Sequence, residues 1–320
     1  MPFPLGEWID THAGVRHNLG QSGMKGSLRS YARSLRHLPV PDPDRLRATL
    51  GRLVGAPPSA VFLTHGATEG NAQVLHHLAR TLRTKGRAGP RLRVEPPEYP
   101  PIPATAELAG FRLVGPGDRT EAVAVSAPRN PLGTAVGPGE LDDLAEGSRA
   151  ILVDETFREF SGRPSAAGER RAGLWVTGSF TKAFGADDIR VGFIVAPPEG
   201  VAEFARFHGY VADRVAPPSV AAALALLRDR ASVIGEARAI LRANQARLRE
   251  SFPDLPPLGA PVWFDRGVDG DRLARRALRA SVLVCPGSFF GTPLGVRIGL
   301  TRRTFPDDLA AYLEVRRRRR

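Results

Sequence analysis

The chain has 320 residues, a mass of 34.4 kDa, and 42% hydrophobic against 24% charged residues. This is an ordinary globular composition, which excludes a wholly disordered chain, a collagen and a disulfide scaffold. Cys285 is the single cysteine and has no partner within the chain, which fits a reducing, cytoplasmic setting. No stretch approaches the roughly 18 uninterrupted apolar residues of a membrane span, and MPFPLGEWID lacks the basic-then-apolar order of a secretory signal. Basic residues number 45 against 33 acidic, a net charge of +12, which invites a nucleic-acid or anion-binding reading. Two features weaken it. Only Lys25, Lys85 and Lys182 are lysines, and the abundance of Arg, Ala, Gly and Pro reads as a coding bias. The terminal run Arg316 to Arg320 reads as a solvated basic tail that attracts anions weakly.

Residues 1–38 carry little periodicity and are expected to form an arm and a segment of a smaller unit. DPDRLRATLGRLVG then reads as an amphipathic helix capped by Asp42 or Asp44. VFLT (61–64) is a short apolar strand, and GATEGNAQVLHHLARTLR starts a helix directly behind it. A strand at 91–96, the helix IPATAELAG, and the short apolar runs FRLVG, AVAVSAP (122–128), AILVDE (150–155), LWVTGSF (174–180) and VGFIVAP (191–197) follow. PGELDDLAEG is a helix between two of them. Short apolar runs alternating with helices predict an α/β fold with a mostly parallel sheet covered on both faces. Residues 218–250 read as one or two long helices. PVWFD, DGDRLARRALRA, SVLVCP and GVRIGL then make a smaller α/β unit. The expected division is a large domain over 39–210, a small one over 211–315, and the tail from 316.

In sheets of this kind ligands bind beyond the carboxyl ends of the strands, so the residues there carry the functional reading. After VFLT come Gly66, Ala67 and Thr68, whose backbone N–H groups open a helix and suit a phosphate; the plainer reading is a tight turn. After the second strand comes Tyr99, an aromatic able to stack on a planar ligand or to sit in a surface loop. Asn130 follows AVAVSAP within an Asn-Pro turn. Asp154 ends AILVD, where a carboxylate needs a cation or a donor to offset lost hydration. Ser179 and Lys182 follow LWVTG, and Arg190 lies eight residues on. Lysine in a chain that otherwise uses arginine points to an amine that must lose its proton, which a guanidinium does not do. His65, His76, His77 and His208 show no metal-ligand spacing, and no metal is expected. One of His76 and His77 should face inward on its helix, and Cys285 should be a buried small apolar residue.

In this order, GATEG, PPEYP, APRNPLGTAV, ILVDETFREF, SFTKAFGADDIRVGF and VLVCPGSFFG…VRIGL resemble the fold-type I pyridoxal 5′-phosphate (PLP) enzymes of the class I/II aminotransferase superfamily. Histidinol-phosphate aminotransferase-like and threonine-phosphate decarboxylase-like proteins are the nearest groups. The resemblance spans about residues 40 to 300. It implies a PLP-dependent transferase-like large domain with a smaller α/β domain. It implies that Lys182 forms the internal aldimine and shuttles the Cα proton, that Asp154 meets the ring nitrogen, and that Asn130 meets the ring's phenolic oxygen. It further implies that Tyr99 stacks on the ring, that Gly66, Ala67, Thr68, Ser179 and Arg190 hold the phosphate, and that Arg297 grips the substrate carboxylate. A homodimer acting on an amino acid and a 2-oxo acid follows from the same resemblance.

The chain departs from the family pattern at four places. Phe157 stands where the family has a tyrosine, Val40 where a tyrosine often reaches the neighbouring subunit, and Glu98 where PTYP has its threonine. NLGQSGMKGS (18–27) replaces an NPYG-like segment. The expected function is an aminotransferase acting through Lys182. A decarboxylase or lyase of the same fold is one alternative, and a basic anion- or nucleic-acid-binding protein on a degenerate enzyme fold is another.

Overall fold

The computed structural model describes residues 4–24, 37–84 and 89–318. Chain order begins with helix α1 (Pro4–Thr11), strand β1 (His17–Asn18) and helix α2 (Pro43–Val54). Asp42 caps α2, its carboxylate accepting from Asp44 N and Arg45 N. Then come β2 (Val61–Thr64), α3 (Ala67–Thr81), β3 (Arg91–Arg93), α4 (Pro101–Leu108), β4 (Arg112–Val114), β5 (Ala122–Ser126), α5 (Pro138–Ala145), β6 (Ala150–Asp154) and α6 (Arg158–Ser161). They are followed by β7 (Leu174–Ser179), β8 (Gly192–Val195) and α7 (Val201–Val211).

These strands form one seven-stranded sheet in the order β2-β8-β7-β6-β5-β3-β4. The expected mostly parallel sheet is present: β7, β6, β5, β3 and β4 are parallel neighbours, and β8 alone runs against β7 and β2. Helices cover both faces, so the central strands have no wet side. On β5 and β6, Val123, Val125, Ile151 and Val153 enter one core, while Ala122, Ala124, Ala150 and Leu152 enter the other. Strands buried on both faces read as continuous apolar runs, which is why 122–126 and 150–154 are visible in the sequence. His77 points into the second core against Trp175 and Phe204, and His76 is exposed.

The long helical stretch is two helices, α8 (Pro217–Arg228) and α9 (Arg230–Ser251), broken at Asp229. Beyond them lie β9 (Val262–Asp269), α10 (Gly270–Arg279), β10 (Val282–Leu283), β11 (Cys285–Pro286), β12 (Leu294–Gly299) and α11 (Phe305–Arg317). β11, β12 and β9 make an antiparallel three-stranded sheet. SVLVCP is not the single strand expected. Val282 and Leu283 pair in parallel with His17 and Asn18, whereas Cys285 and Pro286 pair with β12. The N-terminal segment competes for the first half of the run, so the strand is shared between two sheets. The expected basic tail also begins later than Arg316. α11 runs to Arg317, and Arg316 closes on Asp265 with Nε 2.6 Å from Oδ2. A buried carboxylate there, which Tyr312 also contacts, needs a cation. Arg319 and Arg320 lie outside the described residues. Among the described residues no helix is long and apolar enough to cross a membrane.

Candidate active site

The parallel strands point their carboxyl ends at one cavity of about 590 Å³, lined by Ala67, Thr68, Tyr99, Asn130, Asp154, Ser179, Lys182 and Arg190. Eight of the ten expected site residues therefore meet. Gly66 lies just behind them and Arg297 does not line the cavity.

The anion seat comes first in the chain. Gly66 has φ 104, a left-handed conformation that favours glycine, and a Cβ there would lie 3.0 Å from Arg190 Nη2. It is the N-cap of α3 and supplies no side-chain cap, so the first N–H groups of the helix stay available to an anion. Arg190 Nη2 donates to His65 O (3.2 Å) and Nη1 to Asp187 (2.7 Å), which holds the guanidinium beside that helix end. Glu69 folds back onto His65, accepting from its N (3.0 Å) and meeting Nδ1 at 2.7 Å. His65 is thereby occupied with its own helix. Ser179 Oγ donates to Thr181 Oγ1 at 3.0 Å and accepts from Thr181 N, fixing the turn that leads to Lys182.

Asp154 is 4% exposed. Its Oδ2 accepts from Asn71 Nδ2 at 2.7 Å and its Oδ1 from Thr156 N at 2.9 Å. Thr177 Oγ1 donates to Asn71 Oδ1 at 2.6 Å, so the amide can present only its nitrogen to the carboxylate. Asn71 and Thr177 escaped sequence reasoning. Their only signal was polarity inside an apolar helix face and an apolar strand.

Lys182 is half-buried, and desolvation, aided by Arg297 and Arg190, pushes its amine pKa below the usual lysine range, with Asp187 and Asp154 opposing. Residues 21–24 of the N-terminal segment form one wall of the cavity. Met24 N donates to Lys182 O at 3.0 Å, and a Cβ on Gly23 would stand 3.1 Å from Lys182 Cδ. Of the segment 18–27, residues 25–27 fall outside the described residues. Tyr99 hydrogen-bonds the Thr68 side chain, and burial pushes its phenol pKa up. Phe157, 3% exposed, lines the same cavity with no hydroxyl to offer. Val40 is 82% exposed and lies away from it.

Arg297 is 2% exposed. Nη1 donates to Asn130 Oδ1 (3.2 Å), Nη2 to Gly20 O (2.7 Å), and Nε has no partner among the described residues. With Oδ1 engaged, Asn130 keeps its amide nitrogen for the cavity. Glu98 is buried under the same corner and accepts from Ser126 Oγ (2.5 Å), Ser126 N (2.9 Å) and Tyr99 N (2.6 Å). Among the described residues no group of three His, Cys, Asp or Glu side chains could hold a metal ion.

The cavity thus offers an open helix N-terminus with an arginine, a fixed buried carboxylate, an aromatic and a half-buried amine. That donor set suits a phosphate-bearing pyridine aldehyde. Comparison with known proteins agrees. The family model for aminotransferase class I and II matches residues 109–305. Capreomycidine synthase of Streptomyces vinaceus is 30% identical over 357 aligned positions, covering 93% of this chain and 89% of that protein. An aromatic amino acid aminotransferase of Nocardia farcinica is 30% identical over 197 residues, 57% of this chain and 53% of that protein, so this match spans about half of its length. A PLP-dependent aminotransferase of Streptococcus suis shares the fold with a TM-score of 0.81 at 19% identity, over 98% of this chain and 96% of that one. The strand-end order read from the sequence, the cavity it builds and these matches lead to one conclusion: the chain belongs to the class I and II aminotransferase family of enzymes, whose cofactor is pyridoxal 5′-phosphate.

Proposed function

We propose that the protein is an aminotransferase that moves an amino group between an L-amino acid, or a phosphorylated amino compound, and a 2-oxo acid. The carrying observation is that Lys182 and Asp154 reach one cavity with Arg190 and the start of α3. PLP, when bound, supplies an aldehyde that condenses with amines and a ring that draws electrons from the substrate Cα. The start of α3, Ser179 and Arg190 hold its phosphate. Asp154, kept in place by Asn71 and Thr156, faces its ring nitrogen and favours the protonated form. Asn130 Nδ2 donates to its phenolic oxygen and Tyr99 packs on its face. Lys182 Nζ, its pKa lowered by burial, is the amine that holds the cofactor and then carries the Cα proton. Arg297 receives the substrate carboxylate by exchanging its Gly20 contact for it, its buried Nε having no partner among the described residues. In this reading residues 39–210 bind the cofactor, 211–315 form the smaller domain, and the enzyme is a homodimer.

One observation favours a second reading. Capreomycidine synthase, a relative covering 93% of the chain, is not named an aminotransferase, which keeps a different reaction on the same fold, a decarboxylase or lyase, as the alternative. Incubating the PLP-loaded protein with amino acids and a 2-oxo acid separates the two. Appearance of the new amino acid supports transfer. Release of carbon dioxide, ammonia or another fragment without a new amino acid rejects it.

A further inference from the structure

Glu98 sits where a threonine is usual, and the cavity chemistry described so far does not require it. It is 2% exposed. Its Oε2 accepts from Ser126 N and its Oε1 from both Tyr99 N and Ser126 Oγ. Ser126 is the last residue of β5, lines the cavity, and its Oγ accepts a further bond from Asn130 N at 2.8 Å. Glu98 is therefore one hydroxyl removed from Asn130 and one peptide bond from Tyr99.

A serine oxygen has one proton and two lone pairs. In Ser126 one lone pair takes Asn130 N–H, one direction faces Glu98 Oε1, and the third faces the cavity. We propose that Glu98 is a positioning residue that sets whether Ser126 presents an acceptor or a donor beside Asn130. When Glu98 is ionised, the Ser126 proton points to Oε1 and a lone pair faces the cavity. When Glu98 is protonated, its own proton lies between Oε1 and Oγ, and the Ser126 proton turns into the cavity. Each oxygen meets one backbone N–H, and Oε1 alone also has a hydroxyl oxygen at 2.5 Å able to accept, so the contact to Oγ is where the acid proton belongs. One proton enters from solvent and no bond between heavy atoms changes.

The charges around Glu98 leave this equilibrium near neutrality. Arg129, on the turn after β5, favours the carboxylate, though it also pairs with Glu140 at 3.0 Å. Arg297 stands behind Asn130, and Asp154 lies beside Ser126 in the β5–β6 register. The turn at Gly287–Phe290 contributes only the Phe290 carbonyl, which accepts from Glu98 N at 3.1 Å. Burial outweighs the three donors and raises the Glu98 pKa to about 7.

The inference depends on the proposed function only for what occupies the cavity, so two readouts on the full chain separate them. Infrared difference spectra across pH 5 to 9 follow the protonated carboxyl and need no cofactor. The visible absorbance of bound PLP follows the cavity. Wild type should lose an acid carbonyl band near pH 7 and show an inflection of the PLP band at the same pH. Glu98→Gln should lack the visible inflection and lose the Glu98 share of the carbonyl band, leaving only the share of Glu155, which titrates in the same range. Ser126→Ala should keep the infrared titration and lose the visible inflection, which also guards against a Glu98→Gln protein that does not fold. A wild-type infrared titration unchanged in Glu98→Gln overturns the proposal, and so does a visible inflection that survives in Ser126→Ala. A protein that titrates in the infrared yet binds no PLP contradicts the proposed function instead.

Discussion

The seven-stranded sheet and the three-stranded sheet place their polar residues in opposite ways. In the first, parallel strands end on the same side, so Ser126, Asp154 and Ser179, with the turns behind them, meet at one cavity. In the second, antiparallel strands end on both sides, and the polar groups are largely taken up by partners within the fold, with Nε of Arg297 left over. Asp265 on β9 takes Tyr312 and Arg316, while Arg297 on β12 takes Asn130 and Gly20. Strand direction, more than polarity, decides which residues are left for a ligand. The same contrast separates two buried glutamates whose pKa values rise to about 7. Glu155 is enclosed by Arg158, Ser165 and Ala166 N and works inside the fold. Glu98 lies one hydroxyl from the cavity.

Substitutions in each region should fail differently. The largest effect belongs to Lys182→Ala, which should lower turnover by about 10³- to 10⁴-fold while leaving the melting temperature nearly unchanged; an equal loss of both would merge the two regions into one structural unit. Asp265→Ala removes the partner of Tyr312 and Arg316 and should cost about 3 kcal/mol in denaturant unfolding. The visible band of bound PLP should persist, and its disappearance would show that the small sheet shapes the cavity. Asn71→Ala leaves Asp154 one donor short and should weaken PLP binding by about tenfold, read by titration of the apoprotein, because a hydrogen bond to a charged group is worth about 2 kcal/mol.

The smallest effect is on pH dependence. The folded pKa values of Glu98 and Glu155 lie above their ordinary value, so folding takes up protons. Their stabilising contribution is complete below about pH 4.5 and is lost as pH rises through about 7. Glu98→Gln and Glu155→Gln should each flatten that decline in the melting curve, and a slope that steepens would reverse the assigned sign.

Much of this was legible because local and global signals agree. Runs such as AVAVS and AILVD announce strands buried on both sides, and the polar residue after each run marks the cavity rim. Asn71 and Thr177 were not legible, since a buried amide inside a helix differs in no local way from a solvent-facing one. Their pairing joins positions 106 apart in the chain. The split of SVLVCP was hidden for the same reason, because it follows from the distant pairing of His17 and Asn18 with Val282 and Leu283. Arg316 looked like part of a tail because its partner, Asp265, is 51 residues away. Arg297 was legible as a motif residue, but its concealment behind Asn130 was not.

The central claim is that the amine of Lys182 holds the cofactor. Borohydride reduction of the PLP-loaded protein, followed by peptide mass mapping, tests it with only three lysines to distinguish. The account predicts the added mass on Lys182, and a label confined to Lys25 or Lys85, or found on no lysine, would contradict it.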